Sequence, residues 1–166
     1  RGTSTFYGVH AYYTSGTVIS NNKIHNGGSG NYTNYAIYFG QSTNSAANKS
    51  YVINNAIYDN KTTRTQYPLY LNSTMSYVDV HHNTIQIDAP SGTGTIRGIY
   101  ATSTPNNLNL TNNLVSITGA GTGTKYCYYS NSSTTFTGGN NLFYMGATGG
   151  TNNHTGYFSG NQSTIA

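Results

Sequence analysis

Acidic side chains are almost missing from this chain: it has no glutamate and only three aspartates, Asp59, Asp79 and Asp88. Asp, Glu, Lys and Arg together make up 6% of residues, against roughly 25% in ordinary soluble proteins. So small a supply leaves little material for the carboxylate clusters that bind calcium or serve as acid and base in polysaccharide cleavage. A lone cysteine, Cys127, excludes an intrachain disulfide framework. No apolar run approaches the roughly 20 residues of a membrane-spanning helix, so no membrane insertion is expected. The seven basic residues give a net charge of +4 but are scattered. Without a Lys/Arg cluster to follow a phosphate backbone, nucleic acid is not an expected partner.

Glycine, asparagine, serine and threonine take the place of the charges, beside 17 tyrosines and 13% aromatic residues overall. Disordered chains are poor in aromatic and β-branched residues, whereas those residues suit a pleated surface. The composition therefore indicates β-structure with polar turns. The chain opens on Arg1-Gly2-Thr3 without an initiator Met. It is read as one segment, 1–166, of a longer secreted protein, and neither its polar start nor residues 160–166 read as strong caps.

Two markers repeat along it. One is a polar pair, usually Asn-Asn, with an apolar residue two positions on: Asn21-Asn22-Lys23-Ile24, Asn54-Asn55-Ala56-Ile57, His82-Asn83-Thr84-Ile85, Asn112-Asn113-Leu114-Val115 and Asn140-Asn141-Leu142-Phe143. The second members are spaced by 33, 28, 30 and 28 residues. The other marker is a short strand: Gly8-Val9-His10-Ala11, Ala36-Ile37-Tyr38-Phe39, Pro68-Leu69-Tyr70-Leu71, Gly98-Ile99-Tyr100-Ala101 and Tyr126-Cys127-Tyr128-Tyr129, with a further copy at Gly156-Tyr157-Phe158-Ser159. Three residues before the second Asn come Ile19, Val52, Val80 and Leu110, with Gly138 interrupting the series; two after it come Ile24, Ile57, Ile85, Val115 and Phe143. Shared periodicity in two markers predicts stacked coils of 28–33 residues, strand on strand at about 4.8 Å, around a column of Val, Ile, Leu and Phe. Gly/Ser/Thr/Asn-rich tracts of varying length, such as residues 26–31, 44–50 and 89–95, are the expected insertions at one corner. Asn22, Asn55, Asn83, Asn113 and Asn141 are expected to form a structural ladder, each amide bonding the next coil at a tight corner.

The repeat resembles that of right-handed parallel β-helix proteins, most closely at Val78-Asp79-Val80-His81-His82-Asn83-Thr84-Ile85 followed by Gly98-Ile99-Tyr100. The closing stretch, Thr135-Phe136-Thr137-Gly138-Gly139-Asn140-Asn141-Leu142-Phe143 and then Gly156-Tyr157, resembles secreted cell-surface β-helix proteins of Bacteroidota-type bacteria. The resemblance implies an all-β, right-handed parallel β-helix of about five coils, secreted and associated with a bacterial cell surface. Such proteins include pectate lyases, polygalacturonases, tailspikes, adhesins and domains with no chemistry, so the fold does not name the function.

If Val9, Ile37, Leu69, Ile99 and Cys127 face inward, then His10, Tyr38, Tyr70, Tyr100 and Tyr128 face outward, with Phe158 as a further member. A second file, Tyr7, Tyr35, Tyr67, Arg97 and Lys125, runs beside them. Stacked tyrosines stabilise a sheet through neighbour packing, but exposed aromatics also bury area against sugars or proteins. Tyr38, Tyr70, Tyr100 and Tyr128 are therefore the candidate ligand-binding residues, with polysaccharide or another surface protein as partner. No catalytic residue and no cofactor is expected; the one cation considered is a loose calcium near Asp59 and Asp88. His81 and His82, adjacent on a strand, should point to opposite faces and not share a metal. The function expected is a non-catalytic extracellular scaffold or adhesion module that binds carbohydrate along the tyrosine row. The alternative is a polysaccharide-active enzyme domain, pectate lyase-like or glycoside hydrolase-like, with its site incomplete in this segment.

Overall fold

The computed structural model describes residues 4–25, 30–72, 74–89, 92–102, 106–131, 136–150, 152–158 and 161–162. Residues 1–3, 26–29, 73, 90–91, 103–105, 132–135, 151, 159–160 and 163–166, and the side chains of Phe158, Asn161 and Gln162, fall outside them. The first coil contributes β1 (Ser4–Tyr12), β2 (Val18–Ser20) and β3 (Lys23–His25); the second β4 (Tyr32–Gly40), β5 (Ser50–Ile53) and β6 (Ala56–Tyr58). The third holds β7 (Leu69–Asn72), β8 (Ser76–His81) and β9 (Thr84–Ile87), and the fourth β10 (Ile96–Ala101), β11 (Asn106–Thr111) and β12 (Leu114–Ile117). A fifth adds β13 (Lys125–Ser130), β14 (Thr137–Gly139) and β15 (Leu142–Met145), before β16 (Asn153–Phe158) and β17 (Asn161–Gln162). Every third strand pairs in parallel, giving three sheets wound as a β-solenoid of about five turns. The first sheet is β1-β4-β7-β10-β13-β16, with β17 added antiparallel along the outer edge of β16; the second is β2-β5-β8-β11-β14; the third is β3-β6-β9-β12-β15.

Equivalent side chains stand in vertical files. Ile19, Val52, Val80 and Leu110 align in the second sheet, and Ile24, Ile57, Ile85, Val115 and Phe143 in the third. Together with Ile37, Phe39, Leu69, Leu71 and Ile99 from the first sheet they fill one continuous core. Gly138 interrupts the aliphatic file for a local reason: its φ is +128°, and a Cβ there would fall 1.8 Å from the carbonyl oxygen of Leu110. Only glycine tolerates both conditions.

The corner between the second and third sheets divides the polar pair into two tasks. Its first residue, Asn21, Asn54, His82, Asn112 or Asn140, takes a left-handed φ of 57°, 55°, 58°, 55° or 56°. Asn reaches this region more readily than most residues. Its second residue, Asn22, Asn55, Asn83, Asn113 or Asn141, turns inward and builds the ladder. The Asn83 Oδ1 accepts from the backbone N–H (3.1 Å) and Nδ2 (2.9 Å) of Asn55, while Asn83 donates to the Val52 carbonyl at 2.8 Å and to Asn113 Oδ1 at 3.0 Å. Steps from Asn22 to Asn55 and from Asn113 to Asn141 repeat this pattern. Each rung thereby satisfies backbone groups that the corner withdraws from the sheets.

Candidate functional site

The outward face of the first sheet is aromatic. In β4 the residues Tyr35 and Tyr38 point out while Ala36 and Ile37, both buried, point in. The alternation of a flat strand is thus broken once per coil, so residues three apart share the outer face. This recurs as Tyr7 with His10, Tyr67 with Tyr70, Arg97 with Tyr100, Tyr126 with Tyr129 and His154 with Tyr157. Two files result. One reads Tyr7, Tyr35, Tyr67, Arg97, Tyr126 and His154; the other reads His10, Tyr38, Tyr70, Tyr100, Tyr129 and Tyr157.

Of the four candidate tyrosines, Tyr38, Tyr70 and Tyr100 stand in the outer file as expected from the sequence. Tyr128 does not. It pairs with Ile99, is 1% exposed, and its ring lies 5.0 Å from Phe136 in the core. The outer position belongs to Tyr129, which pairs with Tyr100. A large ring fits inside because the residue above it in the stack is Gly156, which carries no side chain. Burial pushes the Tyr128 hydroxyl up to about 12 despite its hydrogen bond to Ser130. The same one-residue shift moves Cys127 out of the Val9 file, though it is still fully buried, and puts Tyr157 in the outer one; the side chain of Phe158, the further member expected there, lies outside the described residues. It also removes Lys125 from the second outer file. Lys125 is buried beneath the sheet, where its ammonium donates to the carbonyls of Gly121 (2.6 Å), Gly123 (3.0 Å) and Gly149 (3.3 Å).

The sequence reading missed Tyr126, Tyr129, His154 and Tyr157. The signal that finds them is an aromatic-x-x-aromatic spacing: Tyr35-x-x-Tyr38 and Tyr67-x-x-Tyr70 align Tyr126-x-x-Tyr129 and His154-x-x-Tyr157 without ambiguity.

The rings form one connected ribbon. Tyr7 stacks on Tyr35 (5.2 Å between centroids, 12° between planes) and Tyr129 on Tyr157 (4.6 Å, 11°). Other pairs are crossed, such as His10 with Tyr38 at 86° and Tyr100 with Tyr129 at 84°. Asn72 joins the hydroxyls of Tyr38 and Tyr70. Burial raises the pKa of Tyr35, Tyr67, Tyr70 and Tyr126 above the free phenol's. Those four hydroxyls stay neutral and able to donate throughout the physiological range.

At the carboxyl ends of the first strands the ribbon meets a cleft of about 340 Å³ lined by Tyr13, Gln41, Ser42, Thr43, Met75 and Asn106, among others. Tyr12 links the two: its hydroxyl donates to Gln41 Oε1 at 2.7 Å, and its ring lies 4.4 Å from that of Tyr13. The cleft offers amides and hydroxyls and no charge.

The carboxylates lie elsewhere. Asp79 pairs with Lys49 at 3.1 Å and Asp59 with Lys61 at 3.2 Å, while Asp88 accepts from Gln86 at 3.4 Å. No strand of the first sheet carries an acidic residue. His81 and His82 do not point to opposite sides: left-handed His82 turns the chain, and the two ring centroids lie 5.4 Å apart. Among the described residues no three His, Cys, Asp or Glu side chains converge as metal ligands.

No protein-family model, curated protein or solved structure matches this chain.

Proposed function

We propose that the chain is a non-catalytic extracellular scaffold of the adhesive kind, and that it binds carbohydrate along the aromatic face of its first sheet. The observation that carries this reading is the ribbon: two adjacent files of Tyr, His and Arg crossing all the coils, most of them half-buried, and joined to an uncharged cleft. Aromatic rings pack on the apolar faces of sugars while neutral hydroxyls and amides bond the sugar hydroxyls. The rigid solenoid holds the rings in place before a ligand arrives, which lowers the ordering cost of binding. A non-catalytic role agrees with the position of the carboxylates off the aromatic sheet, two of the three in ion pairs with lysines, since glycoside cleavage by acid and base needs two at a set separation beside the bound sugar.

The test is a glycan array read with the wild type and with Tyr70→Ala and Tyr100→Ala, each also followed by thermal denaturation. Binding that weakens in the variants beyond any change in folding supports the reading. Unchanged binding in both variants, or no binding by the wild type, removes it. Incubation with neutral and acidic polysaccharides plus calcium should release no product; accumulating oligosaccharide would show an enzyme instead.

A further inference from the structure

The ribbon holds one residue that is not aromatic. At the fourth coil the file of Tyr7, Tyr35 and Tyr67 continues not with a ring but with Arg97, after which Tyr126 resumes it. The guanidinium carbon lies 3.7 Å from the ring centroid of Tyr129, 4.2 Å from that of Tyr100 and 5.5 Å from that of Tyr67. Its Nε is buried and has no hydrogen-bond acceptor among the described residues. The ion pairs of the described residues are Lys49–Asp79 and Lys61–Asp59, and neither involves Arg97. Arg97 is half-buried, and this cation has three ring contacts and no counter-ion among the described residues, the setting in which a guanidinium gains most from an anion.

We propose that Arg97 receives an anionic group of the bound glycan, a carboxylate or a sulfate ester, at the middle of the ribbon. This deepens the carbohydrate reading and rests on it. The guanidinium fork matches a planar carboxylate or two sulfate oxygens bidentately, and the flanking tyrosines hold the fork's plane. An acidic glycan would thus lay a charged sugar over Arg97 and extend its neighbours along Tyr70 and Tyr38 on one side and Tyr129 and Tyr157 on the other. The first sheet has no acidic residue to repel it.

The experiment measures binding of alginate against carboxyl-reduced alginate, and of dextran sulfate against dextran, by the wild type and Arg97→Tyr. That substitution restores the residue type found one coil below and one coil above, so it keeps the file while removing the charge. Arg97→Gln and thermal denaturation guard against loss of folding, and Lys23→Gln, on the third sheet, controls for the net charge of +4. The wild type should prefer one charged polymer over its neutral counterpart by about tenfold or more, the size expected of a charge-assisted pair. Arg97→Tyr and Arg97→Gln should lose that preference, whereas Lys23→Gln should keep it. Which polymer pair shows the effect tells carboxylate from sulfate. Equal binding of charged and neutral forms overturns the proposal while leaving the carbohydrate reading in place. A preference that survives both Arg97 variants, or that falls equally in Lys23→Gln, also overturns it. If none of the four polymers binds, the proposal fails, and the neutral glycans of the array decide separately whether the carbohydrate reading stands.

Discussion

At the scale of single residues, the ladder asparagines and the residues of the fifth coil carry the sharpest consequences. Asn83 satisfies groups on both sides of it: the Asn55 amide and N–H, the Val52 carbonyl and Asn113. Replacing it by Ala leaves buried donors and acceptors with no partner, at about 1–3 kcal/mol for each group stranded. Urea denaturation of Asn83→Ala should therefore show a clear drop in midpoint, and a change within a few tenths of a kcal/mol would contradict the ladder. Cys127 is fully buried, and burial pushes its thiol up to about 12. A thiol-specific reagent at neutral pH should label the native chain far more slowly than the urea-unfolded chain; equal rates would place the thiol outside.

Between residue and molecule lies the strand, where most of the architecture was legible and one register was not. The corner Asn pairs could be read directly, because few residues accept a left-handed corner and their offsets to Ile24, Ile57, Ile85 and Val115 repeat. Tyr38, Tyr70 and Tyr100 followed because each succeeds an aliphatic residue that must face in. In β13 that logic misleads: Cys127 looks like the small apolar inward residue, and Tyr128 like the outward ring. Since a slip of one position exchanges the two faces of a strand, what decided the matter was space at Gly156, which belongs to the following coil and is invisible to a local reading. Lys125 was misplaced for the same reason, because a lysine held by three backbone carbonyls looks like a surface charge until the turns around it are built.

The strand core makes its own prediction. Ile99 packs in file between Leu69 and Tyr128, so Ile99→Ala should cost about 2–5 kcal/mol. Its effect should couple with that of Leu69→Ala and add simply to that of Ile24→Ala, three coils away. Additivity within the Leu69–Ile99 pair would argue against direct stacking.

For the whole molecule, the raised tyrosine and cysteine pKa values predict a stability that fails in alkali. The folded chain keeps protons on Tyr35, Tyr67, Tyr70, Tyr126, Tyr128 and Cys127 at pH values where the unfolded chain has released them. Their contribution is whole below about pH 8, where the free thiol begins to ionise, and declines as the pH rises toward the folded values. Lys125, whose pKa burial lowers, acts in the opposite sense but is one group against six. The denaturation midpoint should fall between pH 9 and pH 11 as tyrosinate absorbance appears on unfolding; a midpoint rising over that interval would contradict the buried ring hydroxyls.

The claim that joins fold to function is that ligand meets the molecule on the first sheet and nowhere else. Tyrosines on different sheets allow it to be tested in one measurement: mild chemical iodination of the native chain, with and without a glycan that the array identifies, read residue by residue by mass spectrometry. Bound glycan should protect Tyr38, Tyr70, Tyr100 and Tyr129 and leave Tyr58 and Tyr144, exposed on the third sheet, modified as before. Protection of Tyr58 and Tyr144, with the ribbon unchanged, would contradict the account.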